Sequence, residues 1–71
     1  MKTEMLIRMA NDISNFFNAE TNKEIAAEGV SRHILRSWDP RMRKEIIAYC
    51  KQDGSALNDL ARIAVSRLDK I

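Results

Sequence analysis

Seventy-one residues, 12 of them basic and 10 acidic, with 45% hydrophobic and 31% charged composition, allow one domain, spanning residues 1–71. A chain this short buries only roughly 60% of its unfolded surface, so its thin core needs a disulfide, a metal or a partner. The single Cys50 excludes an internal disulfide, and Cys50 with the single His33 falls short of the four ligands of a closed structural zinc site, which leaves a partner as the stabiliser.

The N-terminal "MKTEMLIRMAND" returns to charge before an apolar run of signal-peptide length develops, so no export segment is expected. The chain is also poor in cysteine for a small secreted domain, and the reading is cytoplasmic. Apolar residues recur at helical spacing, which predicts an all-α bundle of about four helices. In the first helix Met5, Leu6, Met9, Ile13, Phe16 and Phe17 form a stripe of roughly 120°. Arg8, Asn11, Asp12 and Asn15 fill the opposite face, and Arg8 has Glu4 and Asp12 as local ion partners at i−4 and i+4.

The second helix is expected to start on a capping box of Thr21 and Glu24. Ala26, Ala27, Val30, Ile34 and Trp38 face the core, with His33 at one edge, and Glu28, Arg32 and Arg36 line the outer face. Gly29 costs about 1 kcal/mol against Ala in mid-helix, which points to close packing with another helix. Pro40 disfavours helical geometry at Asp39, so the second helix stops near Ser37–Trp38 and a sharp Asp-Pro corner follows. Asp39 then caps the third helix, with Pro40 in its first turn.

Met42, Ile46, Ile47, Tyr49 and Cys50 make the apolar side of the third helix, and Gly54 its stop. Arg41 and Lys44 project to the polar side, and Glu45 stands at i+4 from Arg41. Arg43 lies inside the apolar arc; it either snorkels past the helix end or crosses into a partner. The fourth helix begins at Ser55 or Asn58 and carries Leu57, Leu60, Ala61, Ala64, Leu68 and Ile71 inward. Ile7, Ile25, Leu35 and Ile63 fall outside these stripes. They are either a docking surface or further core. Nowhere does an apolar run approach the ~20 residues of a membrane span, so no membrane contact is expected.

His33 and Cys50 are the conceivable base and nucleophile, but nothing brings them together, and Cys50 on an apolar stripe reads as a small core residue. A helix opening on "RMRK" after a tight corner has the outline of a helix-turn-helix, which makes a small DNA-binding protein the alternative reading. Against it, Glu45 offsets Arg41 and the net charge is only +2, so no nucleic acid is expected as partner. The eleven residues "RSWDPRMRKEI" (36–46) instead gather the only Trp and four of the 12 basic residues, a composition suited to a protein interface. The partner-binding candidates are Arg32, Arg36, Trp38, Arg41 and Arg43; Trp38 alternatively closes one end of the bundle.

"LIRMANDISNFF" (6–17) followed by "GVSRHILRSWDPRMRKEIIAY" (29–49) resembles the small delta subunit of NAD-dependent formate dehydrogenases. The resemblance rests on Arg8-Met9-Ala10-Asn11, Ile13, Phe16-Phe17, His33, Arg36, Trp38 and Pro40-Arg41-Met42-Arg43, and covers about half the chain. It implies a non-catalytic accessory subunit without a redox centre. Such a subunit would bind the large catalytic subunit and support its assembly, cofactor loading or stability. In such complexes the partner subunits hold a molybdenum or tungsten bis-pterin, iron–sulfur clusters, flavin and NAD, and they oxidise formate to CO2. This chain is expected to hold no metal, flavin or nicotinamide.

Overall fold

A computed structural model describes residues 2–70, in which four helices run in the order α1 (Thr3–Phe17), α2 (Lys23–Ser37), α3 (Pro40–Gln52) and α4 (Asp59–Leu68), with no strand among the described residues. Ile71, placed by its spacing at the end of the last stripe, lies outside them. No helix is long and apolar enough to cross a membrane.

Three of the four helices start on a side-chain cap. Asn22, not Thr21, caps α2: its side-chain oxygen accepts from the N–H groups of Glu24 and Ile25. The helix therefore starts one residue later than the capping-box reading requires. Glu24 then sits too close to the cap to reach back, and Glu20 takes over, accepting from the Asn22 N–H at 3.0 Å. Asp39 caps α3 through the Met42 N–H at 2.9 Å, with Pro40 first in the helix. Asn58, the second of the two expected starts, caps α4 through the Ala61 N–H. Gly54 ends α3 with φ of 71°, the left-handed conformation that glycine adopts without strain. A Cβ there would meet the Cys50 carbonyl at 3.0 Å.

α4 packs on all three other helices, most extensively on α2, and α1 packs on α2 and α3 as well. Ala26 and Ala27 of α2 and Ala61 and Ala64 of α4 are fully buried, and small side chains there let the helix axes approach. Leu6, Ala10, Val30, Ile34, Trp38, Ile46, Leu57, Leu60, Val65 and Leu68 fill the rest of the core. The close contact expected at Gly29 is with α1: a Cβ on Gly29 would stand 2.6 and 2.7 Å from two ring carbons of Phe17.

The apolar stripe of α1 is rotated from its sequence reading. The buried line is Leu6, Ala10 and Ser14, with Ile7, Met9, Ile13 and Phe17 on its flanks, whereas Met5 is 50% and Phe16 79% exposed. Adjacent residues lie about 100° apart on a helix, so only one of the two phenylalanines can enter the α1–α2 contact, and the ring over Gly29 is that of Phe17. The four off-stripe aliphatics divide. Ile7 and Leu35 pack against the core, and Ile25 and Ile63 are exposed.

Candidate docking surface

Trp38 ends α2: its N–H donates to the Ile34 carbonyl at 2.9 Å and its indole is 3% exposed, within the core. The reading in which it closes one end of the bundle is the one its burial fits; almost none of the ring is left for direct contact with another protein. Arg43 turns back rather than outward. Its guanidinium donates to the Trp38 carbonyl at 2.6 Å. That carbonyl is an end-of-helix acceptor with no partner further along α2, and a part-buried charged donor satisfies it. Asp39, Pro40, Trp38 and Arg43 together thus fix the corner of α2 and α3.

The other three candidate arginines are at the surface. Arg32 pairs with Glu28 at 3.1 Å, both side chains being more than half exposed. Arg36 and Arg41 are exposed and in no ion pair among the described residues. Arg32, Leu35 and Arg36 line a shallow hollow of about 320 Å³. The expected pair of Arg41 with Glu45 is not made, because the Glu45 carboxylate accepts from the Thr3 hydroxyl of α1 instead. Arg8 likewise forms no ion pair with Glu4 or Asp12.

Two features of the surface escaped the sequence reading. One is an apolar groove of about 330 Å³ between α1 and α2, lined by Asp12, Ile13, Phe16, Phe17 and His33. Phe16 stands at its edge, packed edge-to-face on Phe17 with ring centres 5.3 Å apart. The signal was present in the doubled Phe16-Phe17, since a helix cannot bury both on one narrow contact. The other is Asn11, placed by its position on the polar face. Its side chain donates to the Ala56 carbonyl at 2.9 Å and accepts from the Asn58 N–H at 2.8 Å, tying α1 to the cap of α4.

His33 and Cys50 are not brought together. His33 lines the α1–α2 groove, while Cys50 lines a separate hollow with Ile47, Val65 and Asp69. Burial pushes the Cys50 thiol up from its ordinary value, opposed by the nearby Arg62 charge, so the reactive thiolate is disfavoured. No three metal-ligating side chains cluster among the described residues. The α2–α3 corner, Trp38 and Asp39, is shorter than the three- to four-residue turn usual in helix-turn-helix motifs.

The fold and surface define a small all-α bundle whose distinctive chemistry is an aromatic and arginine-bearing exterior. The chain belongs to the family of the NADH-dependant formate dehydrogenase delta subunit FdsD, whose pattern matches residues 5–65. It is thus related to a subunit of a formate dehydrogenase complex, as the motifs around Arg8-Met9-Ala10-Asn11 and Pro40-Arg41-Met42-Arg43 implied. No curated protein and no solved structure matches it.

Proposed function

We propose that this chain is a non-catalytic accessory subunit of a cytoplasmic NAD-dependent formate dehydrogenase. In this reading it binds the large catalytic subunit and supports assembly, cofactor loading or stability. The family match over residues 5–65 carries the reading. The exposed Phe16, Arg36 and Arg41 support it, since aromatic and arginine side chains dominate binding energy at protein interfaces. Arg32, Arg36 and Arg41 are the contact residues proposed here, and Trp38 and Arg43 act beneath them by holding the corner. Formate oxidation belongs to the partner subunits, which carry the molybdenum or tungsten bis-pterin, iron–sulfur clusters, flavin and NAD site.

Deleting the gene in the host tests this. Formate-dependent NAD reduction should fall through fewer or less fully loaded complexes. The decisive measurement is metal content and abundance of the complex beside its turnover. Normal loading, normal abundance and normal activity together would overturn the accessory role.

A further inference from the structure

We infer that the outer surface of the α2–α3 corner is the seat of an acidic segment of the partner, with carboxylates on Arg36, Arg41 and Lys44 and an apolar side chain on Leu35. This rests on the accessory-subunit reading and deepens it by naming the chemistry that the arginines meet.

The chain engages its own acids and leaves cations over. Among the described residues, Glu24, Glu28, Asp59 and Asp69 are held in ion pairs. Glu20, Asp39, Glu45 and Asp53 accept hydrogen bonds within the chain. Only Glu4 and Asp12 have neither. Arg36, Arg41 and Lys44, by contrast, are exposed and make no ion pair among the described residues. The surplus is local: residues 32–44 carry five of the 12 basic side chains and one of the 10 acidic ones. That one acid, Asp39, is turned onto the Met42 N–H as the α3 cap, and Arg43 is turned onto the Trp38 carbonyl. The corner therefore presents positive charge outward that no carboxylate of the chain neutralises. Five peptide units separate Arg36 from Arg41, so their Cα atoms are at most about 18 Å apart, a span that five or six residues of extended chain cross.

The hollow on α2 favours a polypeptide over a nucleic acid. Leu35 lies between Arg32 and Arg36 and packs inward against the core, so the hollow of about 320 Å³ has an apolar floor and a guanidinium on either side. A polypeptide fills it with an apolar side chain flanked by carboxylates, whereas a phosphodiester chain has nothing apolar to set there. Arg32 is available to such a segment, because its exposed pair with Glu28 is of a kind worth about 1 kcal/mol or less. A second copy of this chain fits poorly. Its two carboxylates without an internal contact, Glu4 and Asp12, stand about 12 Å apart along α1. Arg8 stands between them, one turn from each, and would be driven against the arginines of the corner.

The test uses the full chain in its assembled complex, isolated from the host through a tag on the chain. A carbodiimide joins an amine to a carboxylate only where the two touch, and the crosslinked peptides are sequenced. Lys44 supplies a native amine at the corner, Arg36→Lys and Arg41→Lys supply two more, and Lys23 at the far end of α2 is the control. The expected product from the three corner amines is one Asp- or Glu-bearing segment of a formate dehydrogenase subunit, with little product from Lys23. In parallel, Arg36→Gln and Arg41→Gln together should weaken association at least about tenfold. Arg8→Gln with Lys70→Gln removes the same charge elsewhere and should stay within about twofold of the parent. Raising salt from about 0.1 M to about 1 M, which shortens the screening length from about 10 Å to about 3 Å, should narrow the gap between parent and corner variant. Circular dichroism should show all variants as helical as the parent, since the replaced side chains are exposed. Corner crosslinks to a second copy of this chain, or partner crosslinks as frequent from Lys23 as from Lys44, overturn the inference. So does nucleic acid that co-purifies with the parent and is lost from the corner variant. A corner variant that associates as well as the parent also overturns it, and then the accessory role stands while the corner is not its seat. A parent chain that co-purifies with no formate dehydrogenase subunit overturns both.

Discussion

Gly29→Ala is the sharpest probe of the α1–α2 contact because two effects of opposite sign meet there. Ala is better than Gly in a helix interior by about 1 kcal/mol. The new methyl, however, would sit 2.6–2.7 Å from the Phe17 ring, well inside contact distance. Overpacking of that kind costs typically about 1–3 kcal/mol. Phe17 is only partly buried and can yield somewhat, so the net expectation is a loss of about 0.5–2 kcal/mol. For a chain this size that lowers the melting temperature by several degrees, at roughly 4–8 °C per kcal/mol. The decisive step is to repeat Gly29→Ala in a Phe17→Leu background, where the ring edge is gone. There the substitution should stabilise, by up to about 1 kcal/mol, because the propensity gain alone remains. Thermal melts followed by circular dichroism on the four chains of the cycle give the coupling directly. If Gly29→Ala stabilises equally in both backgrounds, the ring does not lie over Gly29 and the contact is misassigned.

The other expected outcomes concern single side chains. Arg43→Ala should cost about 1.5–3 kcal/mol of stability through the lost charged bond to the Trp38 carbonyl, whereas Arg41→Ala should stay within about 0.5 kcal/mol; urea titration of the isolated chain compares them. Asn11→Ala removes one hydrogen bond to the Ala56 carbonyl and one from the Asn58 N–H of the α4 cap, should cost about 1–3 kcal/mol, and should speed hydrogen exchange at the Asn58 amide specifically. Asp39→Ala should cost about 1 kcal/mol as a lost helix cap, read by the same melts. The Cys50 thiol is raised in the fold by burial, so the folded state holds its proton more tightly than the unfolded state does. That contribution to stability is complete below the ordinary thiol range and is lost as pH rises above it. Cys50→Ala should therefore show a flatter decline of stability with alkaline pH than the parent, and the parent thiol should react slowly with iodoacetamide until the chain is unfolded.

What was legible in the sequence was what local chemistry decides. Helical periodicity, the Asp39-Pro40 corner and the Gly54 stop each depend on a few consecutive residues, and each stands where it was read. Gly29 was legible in kind, as a close approach, but not in partner. The errors share one cause: the choice between neighbours was made by another helix. Phe16 and Phe17 are equivalent on hydrophobicity, and only the notch at Gly29 selects Phe17. Glu45 had Arg41 at the right spacing, yet Thr3, 42 residues away, takes its carboxylate. Thr21 and Asn22 are both competent caps by residue type, and Asn22 is the one whose side chain accepts from the Glu24 and Ile25 N–H groups.

The depth of the candidate contact residues was hidden from the sequence for the same reason. Sequence composition gathered Trp38, Arg36, Arg41 and Arg43 into one patch because they are close along the chain. In the fold they separate by depth. Trp38 goes into the core, where its carbonyl is the last acceptor of α2, and Arg43 turns back to meet it. A thin core of this size cannot spare its largest aromatic for a partner without losing the corner that positions everything outside it. The large aromatic left exposed is Phe16, on a different helix, at the α1–α2 groove. The side chains that hold the corner and those exposed along the α1–α2 groove are thus different sets. Gly29 bears on the second, because the ring it admits is the one against which Phe16 stands.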